Sequence, residues 1–178
     1  EPDAVKRSCR NRAGRNAGPV LFVFEPEGGF GILRKEKGAM AMKPTEETVA
    51  MFQKDRFATD NGAVIEEVDD HYAKCSIQLQ DKHRNAMGAV MGGVYFTLAD
   101  FALAVASNWQ GMGSVSLHSE ITYLTAAKGE KLTAEAFCVK NGRTTGYYRI
   151  DVKDSLGNLT AAVTATVFHV AKKPSAQA

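Results

Sequence analysis

From Met42 onward the order of apolar and polar positions changes period several times, and each change marks an element. Thr45 stands ahead of Glu46 and Glu47, with Val49 and Phe52 three apart, which predicts a short capped amphipathic helix ending before Asn61-Gly62. A first strand is predicted over 63–68 and a second over 71–80, where Ala73, Cys75, Ile77 and Leu79 alternate with Tyr72, Lys74, Ser76 and Gln78. A polar loop, 81–85, then leads through a glycine-rich turn into a helix over about 92–110 that is apolar nearly all round. Val94, Leu98, Phe101 and Val105 form one stripe of it, and Tyr95, Ala99, Ala102 and Ala106 the next. Such a helix is buried on most sides. After residue 113 the period returns to two, predicting strands near 115–124, 131–140, 144–154 and 159–169. Leu132, Ala134, Ala136 and Cys138 share one face, as do Ala161, Val163, Ala165 and Val167. Lys140-Asn141-Gly142-Arg143 is the strongest hairpin signal, and Leu156-Gly157-Asn158 marks a further turn.

One long apolar helix and about six strands with a single wet face have one economical arrangement: an α+β fold in which a curved antiparallel sheet wraps round the helix. Residues 40–170 form this domain, 1–39 an N-terminal extension expected to be disordered or non-native, and 171–178 a frayed tail. Glu1 is not a natural start, and Met40 and Met42 sit where the pattern begins.

Composition narrows the classes. At 178 residues and 19.2 kDa the chain can bury one sizeable core. With 44% hydrophobic and 24% charged residues it is neither wholly disordered nor a membrane protein, and its longest nearly apolar run, 94–106, is interrupted by Asp100. The net charge of +2 is uneven: 1–39 holds 8 Lys/Arg against 5 Asp/Glu, leaving 14 against 15 from residue 40 on. The basic character therefore belongs to Lys6, Arg7, Arg10, Arg12 and Arg15, and the body carries no nucleic-acid footprint. The apolar run 20–24 is too short for a signal-peptide core. Cys9, Cys75 and Cys138, widely spaced, suggest neither a disulfide framework nor a zinc site, so a reducing, cytoplasmic setting is expected.

Two features could carry chemistry. Asp100 is the only charged residue between Gly92 and Gln110. A carboxylate there either reaches solvent, caps a neighbouring backbone group or does work. Gly92-Gly93, at the start of the same helix, is either a plain turn or a close approach to bare N–H groups that hold an oxyanion. The two residues lie eight apart, roughly 12 Å along the helix and about 80° around it. One carbonyl cannot reach both, so a site using both must be shared between two chains.

The run Asn85-x-x-Gly88-x-x-Met91-Gly92-Gly93-x-x-x-x-Leu98-Ala99-Asp100-x-Ala102 resembles the signature of the hotdog-fold acyl-CoA thioesterases of the phenylacetate-degradation (PaaI-like) group. Val115-Ser116-Leu117, Ile121-Thr122-Tyr123-Leu124 before Ala126-Ala127-Lys128-Gly129, and Gly142-Arg143-Thr144 continue the resemblance, which covers about 60–170. It implies a hotdog fold and hydrolysis of acyl-CoA thioesters to free acid and coenzyme A. It also implies no metal or redox cofactor, coenzyme A entering only as part of the substrate, and self-association as a homodimer or dimer of dimers. Carried over residue by residue, Asp100 is the general base or nucleophile. Gly92 donates its N–H to the thioester oxygen with help from Asn85, and Ser116 holds the attacking water. Met91, Gly93, Gly142, Arg143 and Thr144 surround the substrate.

One departure matters: the group usually has His where this chain has Met91, and methionine neither donates a hydrogen bond nor titrates. That change favours the main alternative, a non-catalytic acyl-CoA-binding or regulatory hotdog protein. A hotdog hydratase would need an Asp and His pattern absent from this chain, and a purely structural oligomer leaves Asp100 unexplained. His83 and His118 are expected at the surface or in loops. Lys128, Lys131, Lys140 and Arg143 read as a solvated rim, some of it within reach of coenzyme A phosphates. Trp109 is expected to pack at the helix end.

Overall fold

The computed structural model describes residues 6–10, 16–24, 30–32, 41–111 and 113–170. Strands β1 (Lys6–Arg10), β2 (Asn16–Phe24) and β3 (Phe30–Ile32) pair antiparallel in a small sheet of their own. These short strands lie within the segment expected as a disordered or non-native extension. The run Val20 to Phe24, all β-branched, aromatic or leucine, supplies the strand propensity. The remaining residues of 1–39, and the tail 171–178, lie outside the described residues.

In the body, the Thr45 side chain accepts from the Thr48 N–H at 3.2 Å and starts α1 (Glu46–Phe52), with Glu46 and Glu47 in the first turn, where the helix dipole favours acids. The single helix expected here is in fact two, because the chain turns through 53–55 before α2 (Arg56–Thr59). Phe52 and Ala58 are both buried, yet on one straight helix they would point about 120° apart. The break lets both face the core, and Phe52 packs edge-on against Phe101 at 6.1 Å.

Strands β4 (Ala63–Asp69) and β5 (Tyr72–Gln78) precede α3 (Gly92–Asn108). Strands β6 (Ser114–Tyr123), β7 (Lys131–Asn141), β8 (Thr145–Asp154) and β9 (Leu159–His169) follow it. All six body strands join one antiparallel sheet in the order β4-β5-β7-β8-β9-β6. The sheet's concave face carries Ala73, Ala134, Ala136, Ala161 and Ala165, and these small side chains let α3 lie close against it. Both stripes of α3 are buried, and only Gly93, Phe96 and Asp100 along its flank are exposed. This is the hotdog arrangement: helix inside, sheet wrapped round it.

The convex face is a lattice of ion pairs. Lys74 meets Glu66 and Glu67 at 3.4 and 3.3 Å, Lys153 meets Glu135 at 3.2 Å, and Lys131 pairs with Glu66. Burial, reinforced by the charge of Glu135, pushes the Tyr72 hydroxyl well above its ordinary range. Such pairs add little stability, but they satisfy the outer face without a partner.

Two polar clusters close the ends of the sheet. Asp154, 4% exposed, accepts from the backbone N–H groups of Lys128, Leu156 and Asn158 and from the Asn158 amide, all within 3.2 Å. Burial opposes its ionisation, but the Asn158 side chain and the three backbone donors outweigh it and hold the carboxyl below its ordinary range. That stability is present above the unfolded pKa and is lost as pH falls through the folded one. Asp154→Ala should lower unfolding free energy by about 3 kcal/mol, read as the urea midpoint, because three backbone donors lose a charged acceptor. A loss below about 0.5 kcal/mol, the level of an ordinary surface change, would contradict the role.

At the other end, His71, at φ 58, places Nδ1 3.1 Å from the Tyr148 hydroxyl and Nε2 3.1 Å from Asn141 Nδ2. Asn141 Oδ1 in turn lies 2.8 Å from His169 Nε2, whose Nδ1 meets Ser114 Oγ at 3.0 Å. Held by two histidines, Asn141 stays in the ladder opposite Gly146, so the hairpin signal resolves as a three-residue loop, 142–144. It is closed by Gly142 N–H donating to the Thr145 carbonyl at 2.8 Å.

Candidate active site

The segment before α3 is pinned from both sides. His83 is 2% exposed: of the two placements expected for it, surface or loop, it takes the loop between β5 and α3 and is buried there. Its Nδ1 accepts from the Gln80 N–H at 2.9 Å, which leaves Nε2–H to donate to the Asn61 carbonyl at 2.9 Å. Both ring nitrogens are thereby used in holding the loop to the end of α2. The His83 carbonyl accepts from Met91 N–H at 2.9 Å and sets the entry to α3.

Asn85 sits inside a tight loop. Its Oδ1 accepts from the N–H groups of Met87 (3.0 Å) and Ala89 (3.1 Å), and its backbone bonds both Gly88 and Ala89. Gly88 takes the left-handed backbone, φ 79, that this loop requires. With Oδ1 committed, the exposed Asn85 side chain offers its Nδ2–H donors to a ligand.

At the start of α3 the N–H groups of Gly92 and Gly93 have no partner within the helix. The Gly92 carbonyl accepts from the Tyr123 hydroxyl at 3.1 Å. A Cβ on Gly92 would come within 3.0 Å of that hydroxyl and 3.1 Å of the ring, so glycine is what permits the contact. Met91 is half exposed, and its terminal methyl lies where a Cβ on Gly93 would sit, 2.8 Å away.

Two turns along the same helix, Asp100 Oδ1 accepts from Ser116 Oγ at 3.2 Å. The carboxylate opens into a cavity of about 220 Å³ lined by Asp55, Phe57, Ala58, Phe96, Thr97 and Phe101. Although solvent reaches it, protein crowds it on several sides, and this desolvation pushes its pKa up. The Ser116 hydrogen bond pulls the other way and the Asp55 charge adds to the rise, leaving it above the ordinary aspartate range.

Sequence-predicted residues thus gather at two places. Gly92, Gly93, Met91 and Asn85 stand at the N-terminal end of α3, with Tyr123; Asp100 and Ser116 stand roughly 12 Å further along. Gly142, Arg143 and Thr144 form the β7–β8 tip, where the Thr144 carbonyl accepts from His169 N–H at 2.8 Å. His118 is exposed on β6, and Trp109 packs against the core as expected. Strand β6 is a sheet edge, yet it leaves Val115 53% and Leu117 64% exposed.

Sequence reasoning missed Asp55 and Phe57 as site residues, while of the aromatic residues it offered as pocket walls, Tyr95, Phe96, Phe101 and Tyr123, the structure puts Phe96 and Phe101 in the cavity. Asp55 lies in the polar run Gln53-Lys54-Asp55-Arg56, which carries no periodicity to single it out. Tyr123 stands instead at the start of α3, on the Gly92 carbonyl. Among the described residues no helix is long and apolar enough to cross a membrane, and no three His, Cys, Asp or Glu side chains gather as a metal would need.

Comparisons with known proteins converge on this architecture. The thioesterase superfamily pattern matches residues 87–161, which span the end of the Asn85 loop, α3, strands β6 to β8 and the start of β9. An Archaeoglobus fulgidus protein, whose name marks it as an unproven esterase, is 39% identical over 121 residues, 67% of this chain and 79% of that one. The acyl-coenzyme A thioesterase PaaI of Escherichia coli is 32% identical over 114 residues, 64% of this chain and 81% of its own. The solved structure of the E. coli PaaI protein superposes with a TM-score of 0.65 at 28% identity, covering 68% of this chain and 89% of that one. A thioesterase protein of Streptococcus pneumoniae, named as hypothetical and solved with coenzyme A, gives 0.62 at 27%, covering 69% and 99%.

Proposed function

This chain belongs to the thioesterase superfamily, as a PaaI-like acyl-CoA thioesterase, and on that premise we propose that it hydrolyses its substrate at a site shared by two copies of the chain. Asn85 and Gly92 of one copy bind the thioester carbonyl, and Asp100 and Ser116 of the other deliver water. The observation that carries this reading is the Asp100–Ser116 pair, a carboxylate with a raised pKa on the one exposed flank of an otherwise buried helix.

In the proposed reaction the Gly92 N–H and Asn85 Nδ2–H donate to the carbonyl oxygen, stabilising the negative charge it gains in the transition state. Water oriented by Ser116 gives its proton to Asp100 as its oxygen attacks the carbonyl carbon. Collapse of the tetrahedral intermediate breaks the C–S bond. Coenzyme A leaves as thiolate or thiol, the proton being available from Asp100, and the acid is released. Direct attack by Asp100 through an anhydride is the variant route. Neither route calls on a metal or redox cofactor. Met91 leaves the backbone donor of Gly92 in place, so the change from histidine removes an orienting side chain and not the oxyanion contact.

The shared site is supported by the edge position and exposed apolar residues of β6, and by the exposed flank of α3 beside it. On this reading a homodimer is the smallest active unit, with a dimer of dimers built on it. Gly93, Gly142, Arg143 and Thr144 are assigned to the substrate's surroundings, Arg143 as a cation for coenzyme A phosphates. The wide spacing of Cys75 and Cys138 along the chain suits a reducing, cytoplasmic setting.

The direct test is thiol release from short-chain, aryl and long-chain acyl-CoAs by the full chain. Release of free coenzyme A at a rate proportional to enzyme, for at least one class, is the expected result. Acyl-CoA that binds saturably in every class without thiol release would establish the binding-module alternative instead.

A further inference from the structure

The cavity beside Asp100 holds a second carboxylate that the reaction does not use. Asp55 lies at the N-cap of α2, but its side chain makes no capping bond there. It shares the 220 Å³ cavity with Asp100 and with three phenylalanine rings, Phe57, Phe96 and Phe101, Phe57 being 74% exposed at the rim. Among the described residues lining the cavity there is no lysine or arginine. The neighbouring Arg56 is bound to Asp60 through both carboxylate oxygens, at 2.9 and 3.0 Å. The cavity thus sets three aromatic rings beside two carboxylates and is negative in its charge.

Taking Asp100 as catalytic, as proposed above, the acyl group of the substrate extends from the reacting carbon into this cavity, toward Asp55. We propose that Asp55 is a specificity-determining residue that makes the enzyme select acyl groups with a neutral end and reject those ending in a carboxylate. An acyl chain carrying a distal carboxylate would bring a third negative charge into a space that, among the described residues, is lined by two carboxylates and no cation. There it gains no cation and loses its water. Discrimination of this kind works by repulsion of the wrong ligand more than by contacts to the right one. Both carboxylates line the same cavity, and the Asp55 charge adds to the rise in the Asp100 pKa that burial causes first.

The test compares kcat/KM for hexanoyl-CoA and adipoyl-CoA, which have acyl chains of equal carbon number and differ in the terminal carboxylate. Wild type should prefer hexanoyl-CoA by roughly tenfold or more, the penalty for an unpaired like charge in a partly desolvated space. Asp55→Asn should narrow that ratio at least about fivefold, and Asp55→Lys should narrow it further or reverse it. Because the ratio is taken within each variant, a general loss of folded enzyme or of turnover cancels. Wild type without preference, or both variants holding the wild-type ratio, would overturn the proposal. Asp100→Asn run alongside separates the two readings. If it keeps full turnover the catalytic assignment fails, while the response of the ratio to Asp55 still decides the charge of the pocket.

Discussion

Asp100→Asn is expected to lower kcat/KM for acyl-CoA hydrolysis by at least about 10²-fold, the lower range for a positioned general base. The amide is nearly isosteric and its oxygen can still accept from Ser116 Oγ, so the contact at 3.2 Å survives while proton acceptance is lost. The same residue should set the acid limb of the pH profile. Its folded pKa is raised, by burial first and by Asp55 second, so activity should fall at a higher pH than for an ordinary aspartate. The stability effect has the opposite sign. A carboxyl whose folded pKa is raised contributes stability that is complete below the unfolded pKa and is lost as pH rises through the folded one. At neutral pH the ionised Asp100 is therefore a burden on the fold, and Asp100→Asn should melt at a higher temperature than wild type. Near pH 3, where both states carry the neutral acid, that advantage should vanish. Near-wild-type turnover in the variant would remove Asp100 from the mechanism, and a melting temperature lowered at neutral pH would contradict the desolvation reading.

Mixing two dead variants should restore activity. Asn85→Ala and Asp100→Asn, each near background alone, should give about a quarter of wild-type turnover when equal amounts are refolded together. Random assembly makes half of the dimers mixed, and each mixed dimer has one site with both lesions and one with neither. The expectation rests on the geometry of α3, whose N–H donors at Gly92 and whose carboxylate at Asp100 are separated by roughly 12 Å on one rigid helix. No rotation of the Asp100 side chain closes that distance, whereas a second copy running alongside can. Background activity in a preparation shown by tagged co-purification to contain mixed dimers would reject the shared site. An active enzyme that sediments as a monomer would reject it as well.

Much of this protein is legible without coordinates, because burial leaves a local imprint on the chain. A strand with one wet face must alternate, and a helix enclosed by a sheet must be apolar on nearly every side. The positions of β5, β7, β9 and α3 could therefore be read within two residues or so. The spacing of Gly92 from Asp100 is likewise a property of the chain alone, and with it the need for a partner copy if both act on one carbonyl.

What the sequence could not decide are pairings between residues that nothing local connects. That β6 lies beside β9, far from β5, follows from closing the whole sheet round α3, and only that closure delivers Ser116 to Asp100. Local signals also lose when a distant partner has a stronger claim. Asn141, expected just beyond its strand, ends β7 instead because His71 and His169 hold its amide, and polar His83 is drawn inside because Gln80 and Asn61 satisfy both ring nitrogens. The break between α1 and α2, which turns Phe52 and Ala58 both inward, is a demand of packing that neither residue announces. It is this break that carries Asp55 to the mouth of the cavity beside Asp100. Periodicity records which side of an element is dry; which dry sides meet is settled only when the chain closes on itself, and so is the charge of the pocket they leave.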